Sequence, residues 1–157
     1  MQLSTNFTLR EFTRSQTASR KGLDNTPPAE TLPAIRALVE NVLQPVRSHF
    51  GKPVSITSGY RSKALNAAIG GSSTSQHVWS PVWAAADFEI FGVDNLTVAT
   101  WIRDQRQFDQ LISECYDSAE GPNSGWIHVS FRRDGENRRE SLTYRTGQGY
   151  SDGLPAR

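Results

Sequence analysis

The amino-acid sequence predicts an α+β fold: a central antiparallel sheet with helices packed mainly on one side, and a small helical arm at the N-terminus. Three observations predict it. Apolar residues recur in steps of three and four over residues 31–50 and 96–106. They alternate in steps of two over residues 126–131. Helical patterns come first and candidate paired strands later, which is the order of a sheet with its helices segregated to one face. A length of 157 residues suits one domain, spanning 1–157, with an arm over 1–30 and a tail over 147–157.

Each element has a local reason. Thr8-Leu9-Arg10-Glu11 has the form of a capping box that opens a helix in the arm. Asp24-Asn25-Thr26-Pro27-Pro28 is a loop, because two prolines withhold donors and hold the chain extended. Between residues 31 and 50 the positions Leu32, Ile35, Leu38, Val39, Val42, Leu43 and Val46 form one buried helix face, and Pro45 should kink or end it. Residues 53–57 (PVSIT) read as a short strand, and 62–69 as a short helix stopped by Gly70-Gly71. Residues 87–91 (DFEIF) are a strand. Residues 96–106 are a helix capped by Asp94 or Asn95, with Val98, Trp101 and Ile102 facing inward. Strands follow at 108–115 (FDQLISEC) and 126–131 (WIHVSF), and 141–146 adds an edge strand before a Gly-rich tail.

Composition excludes several roles. Lys+Arg 17 against Asp+Glu 16 gives a net charge of +1, without the basic excess of a phosphate-tracking surface, so no nucleic-acid partner is expected. No run approaches the roughly 20 apolar residues of a membrane span. The start, MQLSTNFTLREF, lacks the charged-then-apolar pattern of a secretory signal, so synthesis in the cytoplasm is expected. Cys115 is the only cysteine; it can form no internal disulfide, and with no second cysteine or basic cluster beside it a nucleophilic role is not expected.

Two of the 3 histidines stand in unusual company. His77 follows a Gly-Gly-Ser-Ser turn, Asp87 ends the small-residue run Ala84-Ala85-Ala86, and His128 lies on the polar face of WIHVSF. Two imidazoles and one carboxylate are a ligand set for catalytic zinc with an open fourth position. By themselves the same residues also read as ordinary core or surface side chains, and no HExxH helix decides between the two.

Several blocks in order carry a resemblance. Ser58-Gly59-Tyr60-Arg61-Ser62, Leu65-Asn66, Ile69-Gly70-Gly71-Ser72, Ser75-Gln76-His77, Ala85-Ala86-Asp87-Phe88, Phe108-Asp109-Gln110-Leu111-Ile112 and Trp126-Ile127-His128-Val129-Ser130-Phe131 resemble the signature of the zinc D-Ala-D-Ala peptidases. The likeness is to the branch common among bacterial and phage cell-wall hydrolases, and it runs from about Phe7 to Tyr144. It implies the hedgehog/DD-peptidase-like fold, with Zn2+ held by His77, Asp87 and His128. It also implies that Arg61 and Ser75 bind the peptide, for which a planar guanidinium suits a carboxylate or carbonyl.

The sequence departs from the family pattern twice. Nine residues, 78–86, separate the first histidine from the aspartate where six are usual, and Trp79-Ser80-Pro81-Val82-Trp83 fills the extra length. Pro81 restricts Ser80 to extended conformations, so the segment is expected to border the cleft as a wall or lid, with tucking into the core as the alternative. Where many members carry an acid three residues before the last histidine, this chain has Gly125. A base is still needed to take the proton of the attacking water. Glu114, on the strand expected to pair with WIHVSF, is the candidate; Asp117 and Glu120 are the runners-up.

The remaining features read as structural. His49 suits the carbonyl-rich end of a helix, Trp101 belongs to the core, and Trp126 is cleft wall or packing. Arg132, Arg133, Arg138 and Arg139 read as a solvated face, or as weak attraction to anionic wall polymers. The resemblance implies a monomeric zinc peptidase acting on peptidoglycan stem peptides, as D-Ala-D-Ala carboxypeptidase or murein endopeptidase, reaching the wall by lysis or on a virion. The rival is a non-catalytic wall-binding or virion-structural module of the same fold.

Overall fold

A computed structural model describes residues 1–156. The chain opens with a hairpin, β1 (Gln2–Ser4) and β2 (Phe7–Thr8), followed by α1 (Leu9–Thr13) and α2 (Gln16–Lys21). At the start of α1 the Thr8 backbone N–H and hydroxyl both donate to the Glu11 carboxylate, at 2.7 and 3.1 Å. The arm is part of the core, since Leu3, Phe7 and Phe12 are buried in it. Asn25, in the proline loop, clamps the arm to the chain after residue 58: its Nδ2 donates to the carbonyls of Thr13 and Tyr60, and its Oδ1 accepts from the Ser62 N–H.

The long apolar stripe folds as α3 (Leu32–Leu38), one wide π-type turn (Val39–Leu43) and α4 (Gln44–Phe50). The expected break at Pro45 is spread over the preceding turn, and the helix runs on to Gly51. Proline offers no N–H to the carbonyls one turn back. The freed carbonyl of Asn41 is taken instead by Arg106, whose Nε donates to it at 2.9 Å. α5 (Lys63–Ala68) is capped by Ser62, and α6 (Asn95–Gln105) by Asp94, whose carboxylate accepts the Thr97 N–H at 2.9 Å. His49 stands in the last turn of α4, as expected, and half-buried Trp101 stacks on it with ring centroids 4.5 Å apart. Among the described residues no helix is long and apolar enough to cross a membrane.

Six strands form the main sheet: β3 (Ser55–Ser58), β4 (Trp83–Glu89), β5 (Gln110–Glu114), β6 (Trp126–Arg132), β7 (Glu140–Arg145) and β8 (Gly149–Asp152). Their order is β3-β4-β6-β5-β7-β8, antiparallel throughout except for the parallel pair β5/β7. Two expectations need correction. β4 starts at Trp83, so the Ala84–Ala86 run is strand and Phe91 lies beyond it. β7 is internal rather than an edge, because β8, inside the expected tail, pairs with it.

Alternation gives the sheet two faces. Ala84, Ala86, Phe88, Leu111, Ile127 and Val129 join Ile35, Leu38, Val98 and Ile102 in the core. The opposite face carries Asp87, Ile112, Glu114, Trp126 and His128, and opens into a cleft.

Candidate metal centre

Strand register builds one row of side chains across the cleft floor: Asp87 on β4 pairs with His128 on β6, which pairs with Ile112 on β5. His77 reaches the same point from the loop after α5. Its Nε2 lies 3.1 Å from Asp87 Oδ1 and 3.2 Å from His128 Nδ1, and His128 Nδ1 lies 2.9 Å from the same oxygen. All three residues are buried. Nitrogen ligands at zinc's usual bond lengths stand about 3.3 Å apart in a tetrahedral arrangement, so this spacing fits the ion.

The tautomer of His77 supports the same conclusion. Its Nδ1 lies 2.8 Å from the Gly59 carbonyl, a partner that can only accept, which puts the proton on Nδ1 and leaves the Nε2 lone pair facing the cluster. Burial alone would raise the Asp87 pKa. The adjacent imidazoles overcome that by charge and hydrogen bonding, and hold it well below the usual carboxylate range.

Backbone contacts place His77. The Arg61 N–H donates to the His77 carbonyl at 2.8 Å, and Ser75 Oγ accepts the His77 N–H at 3.2 Å. Gly59 passes so close to Phe12 that a Cβ would lie 2.3 Å from its carbonyl oxygen, so only glycine lets this segment sit against α1. The loop is also pinned from Asp109, the residue before β5. Gln76 Nε2 donates to Asp109 at 2.8 Å, and the Arg138 Nε, Nη2 and backbone N–H all donate to the same carboxylate. Burial works against the Asp109 charge, but these donors outweigh it and lower its pKa.

The cleft has a volume of about 1160 Å3, more than a drug-sized ligand fills and enough for a stretch of polymer. Arg61 and Ser75 both line it. Arg61 is half-buried, with Nη2 3.9 Å from Asp87 Oδ2 and Nε donating to Ser58 Oγ at 3.3 Å. Glu114 lies in the cleft one row along from the ligands, between Trp126 and Tyr144 in register. Its pKa is raised, chiefly by burial and then by the Asp87 charge, with His128, Trp126 and Arg61 pulling the other way. The indole N–H of Trp126 is turned to this carboxylate without closing a hydrogen bond of ordinary length.

The runner-up acids are elsewhere. Asp117 and Glu120 are exposed in the β5–β6 turn, where Asp117 accepts the Ala119 N–H, and neither lines the cleft. Gly125 cannot bear a side chain: a Cβ there would lie 2.0 Å from the Glu114 carbonyl oxygen.

The expected wall or lid over residues 78–86 divides into two parts. Trp79 is core, packed on Phe12 and Tyr60, with Nε1 donating to the Ala85 carbonyl at 3.1 Å. Trp83 lines the cleft under the Arg132 guanidinium, which stands 5.7 Å from its ring centre. Nor do the four arginines form a free basic face. Arg132 pairs with Asp134, Arg133 donates to the Pro81 carbonyl, Arg138 holds Asp109, and Arg139 donates to the Arg103 carbonyl. Sequence reasoning missed Tyr144 and Tyr150 as cleft residues; the Leu142/Tyr144 alternation signals one face, but nothing local says which.

Residues 5–130 match the family described as Peptidase M15, a span that includes His77, Asp87, His128, Arg61, Ser75 and Glu114. No curated protein matches the chain. A match over most of the chain, which contains the buried His–Asp–His cluster, shows that the chain belongs to the peptidase M15 family, the zinc D-Ala-D-Ala peptidases.

Proposed function

We propose that the protein is a zinc peptidase that hydrolyses peptidoglycan stem peptides, as D-Ala-D-Ala carboxypeptidase or murein endopeptidase. The observation that carries this reading is the convergence of His77, Asp87 and His128 on the floor of an open cleft, with the Glu114 carboxylate one row away. Zinc bound by the three side chains supplies Lewis acidity, lowering the pKa of water to about 7 and polarising a carbonyl.

The chain's own residues do the rest. Arg61 presents a planar cation to a carboxylate or peptide carbonyl of the substrate. The Ser75 Oγ already accepts the His77 N–H, so its hydroxyl hydrogen is left to donate to the peptide backbone. Glu114 takes the proton of the attacking water as the C–O bond forms, and returns it to the amine nitrogen as the C–N bond breaks. A carboxylate facing the cleft one row from the metal-holding group is placed for both transfers. The enzyme acts as a monomer on the cell wall, reached by lysis or on a virion.

Digestion of purified peptidoglycan, with mass analysis of the products, tests the proposal. The zinc-loaded protein should release defined peptides, and His77→Ala and His128→Ala should each lose most of the metal and all products, because two remaining ligands hold zinc poorly. Zinc retained at full stoichiometry in both variants would overturn the ligand assignment. A loaded protein that binds the polymer and releases nothing would identify it as the non-catalytic module.

A further inference from the structure

The β7–β8 hairpin lies beyond the residues matched to the family, yet it builds one wall of the cleft. Register places Trp126, Glu114, Tyr144 and Tyr150 in one row across β6, β5, β7 and β8. This row adjoins the row of metal ligands. Tyr144 and Tyr150 meet with ring centroids 4.8 Å apart at 51°. Tyr150 is 61% exposed on an edge strand whose four residues all face solvent, so core packing does not account for it. Among the described residues neither phenol hydroxyl has a hydrogen-bond partner.

We propose that Tyr144 and Tyr150 form a carbohydrate subsite, an aromatic shelf that stacks on a pyranose ring of the glycan bearing the stem peptide. This rests on the peptidoglycan reading above and narrows it. A pyranose offers a flat C–H face and a rim of hydroxyls; the shelf offers ring faces and two unpaired phenols, the combination of apolar body and polar tip that such a ligand needs. Reach agrees with this. Tyr144 lies two strands from His128 and Tyr150 three, each one row along, about 12 and 16 Å at the usual strand spacing and rise. That distance is roughly three to five extended residues, so one stem peptide spans from a sugar on the shelf to a scissile bond at the metal centre.

Calorimetry on zinc-loaded Glu114→Gln protein, in which turnover should be slowed about a hundredfold or more, tests the subsite. The two ligands are a stem peptide carrying its disaccharide and the same peptide without sugar. The sugar should strengthen binding by about tenfold, the scale of one good aromatic stacking contact. Adding Tyr150→Ala should remove that increment and leave the bare peptide's affinity unchanged, whereas Tyr150→Phe, which keeps the ring, should retain most of it. Equal affinity for the two ligands, or a Tyr150→Ala loss shared equally by both, would overturn the assignment. If neither ligand binds, the peptidoglycan reading itself fails, and the subsite with it.

Discussion

The two faces of β4, β6 and β5 use the same strands for opposite ends. On the helix side Ala84, Ala86, Phe88, Leu111, Ile127 and Val129 meet α3 and α6, and each is one apolar contact among many. On the cleft side Asp87 and His128 belong to a buried group able to hold a metal, and Glu114 is the one carboxylate proposed as base. The difference teaches that stability is spread over the first face, while function is concentrated on the second. Disruption of one face should therefore leave the other's property nearly intact.

The largest effect tests the helix side. Phe88→Ala should lower stability by about 3–5 kcal/mol in urea unfolding, the usual range for emptying a buried aromatic site. The molecules that remain folded should still bind one zinc. Loss of zinc by folded Phe88→Ala protein would break the separation between the faces.

Next in size is Glu114→Gln. Turnover on peptidoglycan should fall by about a hundredfold or more, the scale for a lost general base, with zinc content unchanged. Burial disfavours the ionised carboxyl in the folded state, so stability at neutral pH should be equal or higher in the variant. Parent-level turnover would remove Glu114 from the mechanism.

Asp109→Asn gives the smallest effect, and it sharpens the comparison because Asp109 joins the ligand loop to β7. Losing charge-assisted hydrogen bonds should cost about 2 kcal/mol at pH 7. The folded-state pKa is depressed, so this contribution is present above the ordinary carboxylate pKa and disappears as pH falls through the folded-state value. Parent and variant should therefore converge in acid. A difference that stays constant with pH would mean that the Asp109 charge is not what holds the loop.

Much of this was legible in the sequence, and what was not has identifiable causes. β6 and α6 follow from local alternation, helical periodicity and the Asp94 cap, which need no distant partner. The three ligand candidates could be named from ordered motifs, but composition could not bring them together. That depends on the Asp87↔His128 register, a property of pairing between segments 41 residues apart. β7 looked like an edge because its partner β5 pairs with it in parallel, and β8 looked like tail because Gly147 and Gly149 resemble a linker. The start of β4 was hidden because three alanines show no alternation. Trp79 and Trp83 read as one feature, yet one indole closes the core and the other borders the cleft.

Gly125 carries a consequence for how this site can change over time. Its missing side chain leaves room for the backbone of Glu114 and Cys115, which any Cβ would overlap. An acid at position 125 and the present path of the chain through Glu114 are thus alternatives that exclude each other. Placing an acid at position 125 in place of the proposed base Glu114 therefore requires the backbone at Glu114 and Cys115 to move as well. What position 125 can carry is thus limited by the backbone path of Glu114, whatever chemistry that carboxylate performs.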